Sequence, residues 1–269
     1  MSNTSSTQHS LLSTLDSSSL DMSHLHLDAY QYQAKEEVYP HSNLWGDFNF
    51  SLDGILEFNI DQHVYLSPPS FGLWIPPHTP HQAISRYDQE TRFICFRISP
   101  ALSQHLAATP SIIQISPLIN FITQHLLEQR AQQTPLQQWH KLLVLFDELS
   151  IAPSHDHYLP LSNDLSLKKI TDFLLQPQHH ALKLHSICTH FAISERHLLR
   201  LFQQHFAMSI SEWRNRAKLI YAIDQLKLNA SIKKIALELN YHHPSAFIEF
   251  FKRYTGMTPE QFRLNQLRF

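Results

Sequence analysis

One stretch of this 269-residue chain, Leu184–Arg263, contains the same pattern twice, and it restricts the fold more than any other feature. Residues 184–209 read LHSICTHFAISERHLLRLFQQHFAMS, and residues 232–258 read IKKIALELNYHHPSAFIEFFKRYTGMT. Each copy opens with apolar residues at i, i+3, i+4 and i+7: Leu184, Ile187, Cys188 and Phe191, then Ile232, Ile235, Ala236 and Leu239. That spacing lays one apolar stripe along an amphipathic helix. A short break follows, then a second helix built on Leu198, Leu201 and Phe202, or on Phe247, Phe250 and Phe251. The offset is 48 residues in the first helix and 49 in the second, so the later copy has one extra turn residue. Two short helices joined by a tight turn predict a helix-turn-helix, whose second helix can enter a DNA major groove. Two copies on one chain predict a protein that reads two groove segments at once.

The flanking residues agree. Ser209 followed by Glu212 predicts a capping box. It starts a long helix, SEWRNRAKLIYAIDQLKL, whose Trp213, Ala217, Ile220 and Leu226 can bury against both copies. Thr258 and Gln261, with Pro259 at the first helical position, predict a second capping box. Gly256 suits a left-handed cap at the end of copy two, whereas Ala207 holds the same place in copy one at a cost in stability.

LRLFQQHFAMSISEWRNRAKL and IKKIALELNYHHPSAFIEFFKRYTGMTPEQFR resemble the DNA-binding domain of the AraC/XylS family of bacterial transcription regulators, over about Leu165–Arg263. The closing SAFIEFFKRYTGMTPEQFR is the most specific part. The resemblance implies two helix-turn-helix units joined by a long linker helix, with both recognition helices in adjacent major grooves of double-stranded DNA. This chain has Asn240-Tyr241 where the family has Gly-Phe, and Ala207 where it has glycine, departures that bear on local stability. The family's base-reading positions fall on Arg196, Leu199 and Arg200, and on Pro244, Ser245, Ala246 and Glu249. The residues themselves suit that role. In copy one the face opposite Leu198, Leu201, Phe202 and Phe206 carries Glu195, Arg196, Leu199, Arg200 and Gln203. Arginine can bond guanine O6 and N7 together, leucine or Ala246 can touch a thymine methyl, and Glu249 can accept from cytosine N4. His197, Lys233, Lys234, Lys252 and Arg253 are candidate phosphate contacts. A solvated surface residue is the alternative for each, and it is weakest for Leu199, an apolar side chain on a polar face.

Charge supports nucleic acid once the chain is divided. Residues 1–162 carry 6 Lys and Arg against 15 Asp and Glu; residues 163–269 carry 15 against 8. The near-neutral total of −2 therefore hides a basic C-terminal half, as a phosphate-binding module requires. No apolar run reaches transmembrane length. The N-terminus, MSNTSSTQHSLLSTLDSSS, lacks the basic start and apolar stretch of a secretory signal and reads as a disordered leader over 1–22. Cys95 and Cys188 sit in apolar patterns and read as buried free thiols of a reducing cytoplasm.

Residues 23–150 read as a sensor and dimerisation domain. Alternation over His24–Tyr32, Asp47–Leu52 and Arg92–Ile98, broken by Pro40, Gly54, Pro68-Pro69 and Pro76-Pro77, predicts a small sandwich or barrel. PHSNLWGDFNFSLDGILEFNI and YLSPPSFGLWIPPHTPHQAI resemble the cupin-type sensor domain of one branch of AraC-type regulators, with WIPPHTPH the most specific part. Cupins commonly ligate a transition metal through histidines, which makes His41, His78 and His81 the candidates. Asn43 stands where the second histidine of the usual signature belongs, and no carboxylate follows at the usual distance. Three ligands also fall short of a closed four-ligand site, so polar groups at a barrel mouth are the competing reading. An organic effector would instead be anchored by aromatic residues such as Trp45, Phe48, Phe50 and Trp74.

Pro117–Ala131 and Pro135–Leu149 carry wide apolar stripes and predict an antiparallel helical pair, part packed on the barrel and part offered to a dimer seam. Residues 151–163, with two prolines and no periodicity, read as the linker to a DNA-binding domain over 164–269. The fold class expected is therefore α+β and multidomain: a cupin-like β-barrel with a helical pair, then an all-α domain of two helix-turn-helix units. The function expected is a cytoplasmic, homodimeric, sequence-specific transcription regulator that acts with RNA polymerase and answers to a small ligand. A metal-dependent cupin enzyme with a DNA-binding appendage is the alternative, which the incomplete histidine signature disfavours.

Overall fold

The computed structural model describes residues 22–33, 38–61, 63–84, 86–87, 90–162 and 164–265; the expected leader, apart from Met22, lies outside them. The N-terminal half is built on two antiparallel sheets. The first takes its order from β1 (Leu25–Tyr32), β7 (Thr91–Ile98), β2 (Gly46–Ser51), β5 (Phe71–Ile75), β8 (Ser111–Gln114) and β9 (Ser154–His155). The second has β4 (His63–Ser67), β3 (Leu56–Ile60) and β6 (Gln82–Ile84), with β3 central. A one-turn helix, α1 (Pro100–Ser103), follows β7, and a helical pair follows β8: α2 (Pro117–Glu128) and α3 (Pro135–Ile151).

Strand parity decides what each side chain meets. Phe48 pairs with Phe96 and Trp74, and Phe50 with Ile94. These residues join Leu25, Ile119, Trp139 and Phe146 in one core, so this face of the larger sheet lies beneath α2 and α3. Residues of the opposite parity, Leu73, Ile75, Phe93 and Cys95, share a core with Leu56, Phe58 and Ile60 of the smaller sheet. The alternation expected over Asp47–Leu52 is therefore real, yet it does not mark a solvated face: all six residues of β2 are buried. Asp47 keeps its carboxylate there by accepting from Asn43 Nδ2 at 2.5 Å and from the Cys95 thiol at 3.7 Å. Two glycines permit the close packing. A Cβ on Gly46 would stand 2.0 Å from the Trp74 ring, and one on Gly72 2.2 Å from Phe48.

The C-terminal half is helical: α4 (Leu165–Leu175), α5 (Leu184–His190), α6 (Glu195–Phe206), α7 (Ile210–Lys227), α8 (Ile232–Glu238), α9 (Pro244–Thr255) and α10 (Pro259–Asn265). The repeat is visible in the elements, since α5 and α8 each have 7 residues and α6 and α9 each have 12. Leu167, Ile170, Ile187, Leu198 and Phe202 close around Trp213 and Ala217 in the first half of α7. Phe247, Phe251 and Phe262 close around Ile223 and Leu226 in its second half, in a core continuous with the β interior. As expected, α7 serves both copies.

Residues 152–162 run between the halves but are fixed to both. Ser154 and His155 pair with β8, and Tyr158 is fully buried. The carbonyls of Tyr158 and Pro160 accept from Arg216 Nη1 and Trp213 Nε1, each at 2.9 Å. Among the described residues no helix is long and apolar enough to cross a membrane.

Candidate nucleic-acid interface

Each copy presents its second helix the same way. Leu198, Phe202 and Phe206 of α6 are buried, as are Phe247, Phe250 and Phe251 of α9. The opposite faces are open. Arg196, His197, Leu199, Arg200 and Gln203 on α6 are exposed, and so are Pro244, Ser245, Ala246, Glu249, Lys252 and Arg253 on α9. Leu199 is 44% exposed, an apolar side chain held in water on a cationic face. Arg200 Nη2 lies 3.2 Å from His197 Nδ1, which sets these two side chains along one edge of α6. On α9 the Arg253 guanidinium sits 5.4 Å from the Tyr254 ring centre. Lys233 and Lys234 are exposed at the start of α8.

Caps fix where these helices begin. Ser194 accepts from the His197 N–H at 3.2 Å, and Ser231 from Lys234 at 3.2 Å. No side chain caps α9, and Pro244 supplies the preset φ at its first position instead. Their ends repeat as well. Ala192 and Asn240 after the first helix of each copy, and Ala207 and Gly256 after the second, all adopt left-handed backbone with φ of 51°, 60°, 51° and 77°. The box expected at Thr258 and Gln261 is complete, with reciprocal bonds of 2.9 and 3.2 Å. That at Ser209 is half formed. Its hydroxyl accepts from the Glu212 N–H, but the Glu212 carboxylate goes to Arg216 Nε and the Tyr254 hydroxyl, both at 2.9 Å. A charge-assisted bond to a buried guanidinium outcompetes a backbone N–H.

Sequence reasoning missed the polar seam between α7 and the β region. Lys227, 3% exposed, reaches Asp53 at 3.4 Å and donates to the Glu90 carbonyl at 2.9 Å. Asp53 also accepts from Arg92 Nε at 2.7 Å. Nearby, Arg86 grips Asp224 with Nε and Nη2 at 3.1 and 2.9 Å, and the Tyr87 hydroxyl donates to the same carboxylate. Burial pulls the Lys227 ammonium below its usual range, with Asp53 opposing. The signal was present as Arg216, Asp224 and Lys227 set among the apolar positions of α7, but charge on a helix is ordinarily solvated.

The candidate metal ligands are only partly assembled. His41 and His81 exchange backbone bonds of 3.0 and 2.8 Å, and their rings lie 4.4 Å apart. Each Nδ1 faces a carbonyl at 2.9 Å, of Tyr39 and Thr79. His78 uses its backbone N–H on the Asn43 carbonyl and is exposed. Among the described residues no group of three or more His, Cys, Asp or Glu is placed to hold a metal, so this donor set does not fit one. The aromatic anchors expected inside a barrel are displaced by parity: Phe48, Phe50 and Trp74 belong to the core under α2 and α3, and Trp45 lies tilted against His26, ring centres 5.3 Å apart.

Comparison with known proteins places the helical half. A family model described as a helix-turn-helix domain matches residues 187–265. The chain is 26% identical over 223 residues to the HTH-type transcriptional regulator NimR of Escherichia coli (strain K12), covering 82% of this chain and 81% of NimR. It is 23% identical over 153 residues to the transcriptional regulatory protein HptR of Staphylococcus aureus (strain MRSA252), covering 55% of each. Among solved structures it aligns with ToxT from Vibrio cholerae O395 at a TM-score of 0.37 and 15% identity, over 90% of this chain and 98% of ToxT. The AraC-like transcriptional activator CuxR aligns at a TM-score of 0.37 and 14% identity, over 82% and 83%. With its duplicated helical units, the matched helix-turn-helix domain and the regulators it is similar to, the chain is a helix-turn-helix, DNA-binding transcription regulator.

Proposed function

We propose that α6 and α9 enter adjacent major-groove segments of one operator, and that the β region is a cupin-like sensor. The observation that carries this reading is the pair of 12-residue helices, each buried on one stripe, with every candidate contact residue exposed on the other. Arg196, Leu199 and Arg200 read bases from α6, and Ser245, Ala246 and Glu249 read them from α9. His197, Lys233, Lys234, Lys252 and Arg253 hold phosphates, with Gln203 and Pro244 at the edges of the contact. The working units are residues 23–150, a connecting segment 151–163, and 164–269. The protein acts in the cytoplasm as a homodimer and communicates with RNA polymerase. Exposed Leu118, Leu136 and Val144 on α2 and α3 support a dimer seam there. The effector is a small organic molecule; His41 and His81 join two loop segments through their backbones.

Base and phosphate contacts separate experimentally. Arg200→Ala is expected to weaken operator binding by about 1–3 kcal/mol and to relax one base position. Lys252→Ala is expected to weaken binding to all sequences and to lower the salt slope by about one unit. Footprints and salt titrations of the two variants decide; wild-type behaviour in both sinks the assignment of these faces.

A further inference from the structure

The space between the two sheets is occupied by the chain's own side chains, among them Phe58, Ile60, Leu73, Ile75 and Phe93, each under 8% exposed. Room for a ligand lies elsewhere. A cleft of about 840 Å³ opens where the larger sheet, α2 and the C-terminal end of α9 meet. Sites for small molecules run to roughly 300–1,000 Å³. Its apolar wall includes Leu52 and Ile94 from the sheet side, Phe121 and Leu127 from α2, and Met257 beyond α9. Two guanidiniums line it, Arg92 and Arg253, against one carboxylate, Glu128. The Arg92 side chain is 12% exposed and held in place by Asp53, so it is a fixed donor array; the exposed Arg253 can swing.

We propose that this cleft is the effector site and that it takes a small aromatic organic anion. The proposal rests on the reading that the β region governs DNA binding. Apolar and aromatic walls accept the body of such a ligand, while planar guanidiniums pair with a carboxylate or sulfonate through two parallel bonds. The cleft also reaches the DNA-binding half by two routes. Arg253 and Tyr254 belong to α9 itself. Arg92 shares Asp53 with Lys227 of α7, so an anion that draws the Arg92 guanidinium away leaves Asp53 to Lys227 alone and resets the ion pair on the helix that joins the two reading units.

The probe is 8-anilinonaphthalene-1-sulfonate, titrated by fluorescence into the full chain. Saturable binding of one probe per chain is expected. Gln124→Trp, on the exposed face of α2 that lines the cleft, should lower its affinity at least tenfold, and Arg253→Gln several-fold. Val64→Ser, on the exposed side of β4 outside the cleft, should change nothing. Indole-3-acetate should displace the probe and neutral 3-methylindole should not. Unchanged affinity in both cleft variants overturns the site, and equal displacement by the neutral competitor overturns the ligand class. In a second arm, duplex DNA affinity is measured with and without saturating probe. A shift of threefold or more, absent in Gln124→Trp although that variant binds DNA normally, supports the effector role. No shift in the wild type overturns it. Failure of the wild type to bind DNA without any probe would instead overturn the functional reading, and the fluorescence arm stands apart from that result.

Discussion

Ala207 and Ala192 pay for a turn that glycine makes freely. Both hold φ of 51°, where an L side chain costs about 1–2 kcal/mol. Part of that is returned by the smaller unfolded entropy of alanine. Ala207→Gly is therefore expected to stabilise the first unit by about 0.5–1 kcal/mol, read as a higher midpoint in thermal melts; a lower midpoint would refute the strain. This was legible beforehand, because aligning the copies sets Ala207 against Gly256. His180 was not. It is 3% exposed, edge-on to Tyr221 at 5.5 Å, and pushed down to about 4 by burial and then by Lys218. Its surroundings come from α7, remote in sequence. Because the folded value lies below the ordinary 6.5, the unfolded chain binds a proton that the folded chain refuses between these limits. Stability should be level above about pH 6.5 and fall as pH drops towards 4, by up to about 3 kcal/mol from this residue. His81, His155 and His157, also lowered by burial, act in the same direction. Urea midpoints at pH 7 and 4.5 should converge in part in His180→Gln; an unchanged gap removes His180 as a cause.

Among the elements, α7 shows best what periodicity reveals and what it hides. Its apolar contacts with both copies follow from Trp213, Ala217, Ile220 and Leu226, whose positions repeat at helical spacing. Its third contact, with the β region, is made by Arg216, Asp224 and Lys227, and charged side chains carry no periodic signal for burial. The strands fail in the complementary way. Alternation located β1, β2 and β7 within a residue or two, but could not say that a second sheet covers Asp47, Asn49 and Ser51. The buried pair in the seam makes a strong test. Asp53→Ala leaves Lys227 and Arg92 without their counter-charge, and a loss of about 3–5 kcal/mol is expected. Asp53→Leu combined with Lys227→Met should recover part of it, since Lys227, the more deeply buried of the two cations, then carries no charge. Denaturant titrations compare the two, and a double variant as weak as the single would count against the pairing.

For the whole molecule, the sequence pointed to two halves and a passage between them, but the passage, residues 152–162, belongs to the packing. Leu159 touches both helical cores, and Tyr158 and Pro160 accept from α7. Residues 151–269 and 164–269 are both expected to bind DNA without the β region, more weakly than a dimer with two linked sites. The longer fragment should melt at the higher temperature, because it keeps the carbonyls that satisfy Arg216 and Trp213. Equal melting would mean that the segment contributes nothing, and a fragment binding DNA as tightly as the full chain would argue against dimerisation through α2 and α3. The division of the cores has one more consequence. The first reading unit has a core of its own, whereas the second is continuous with the β interior. Local opening follows contiguous cores. The two units thus differ in cooperativity: the first can fray and re-form independently, while the opening of the second is coupled to the β region.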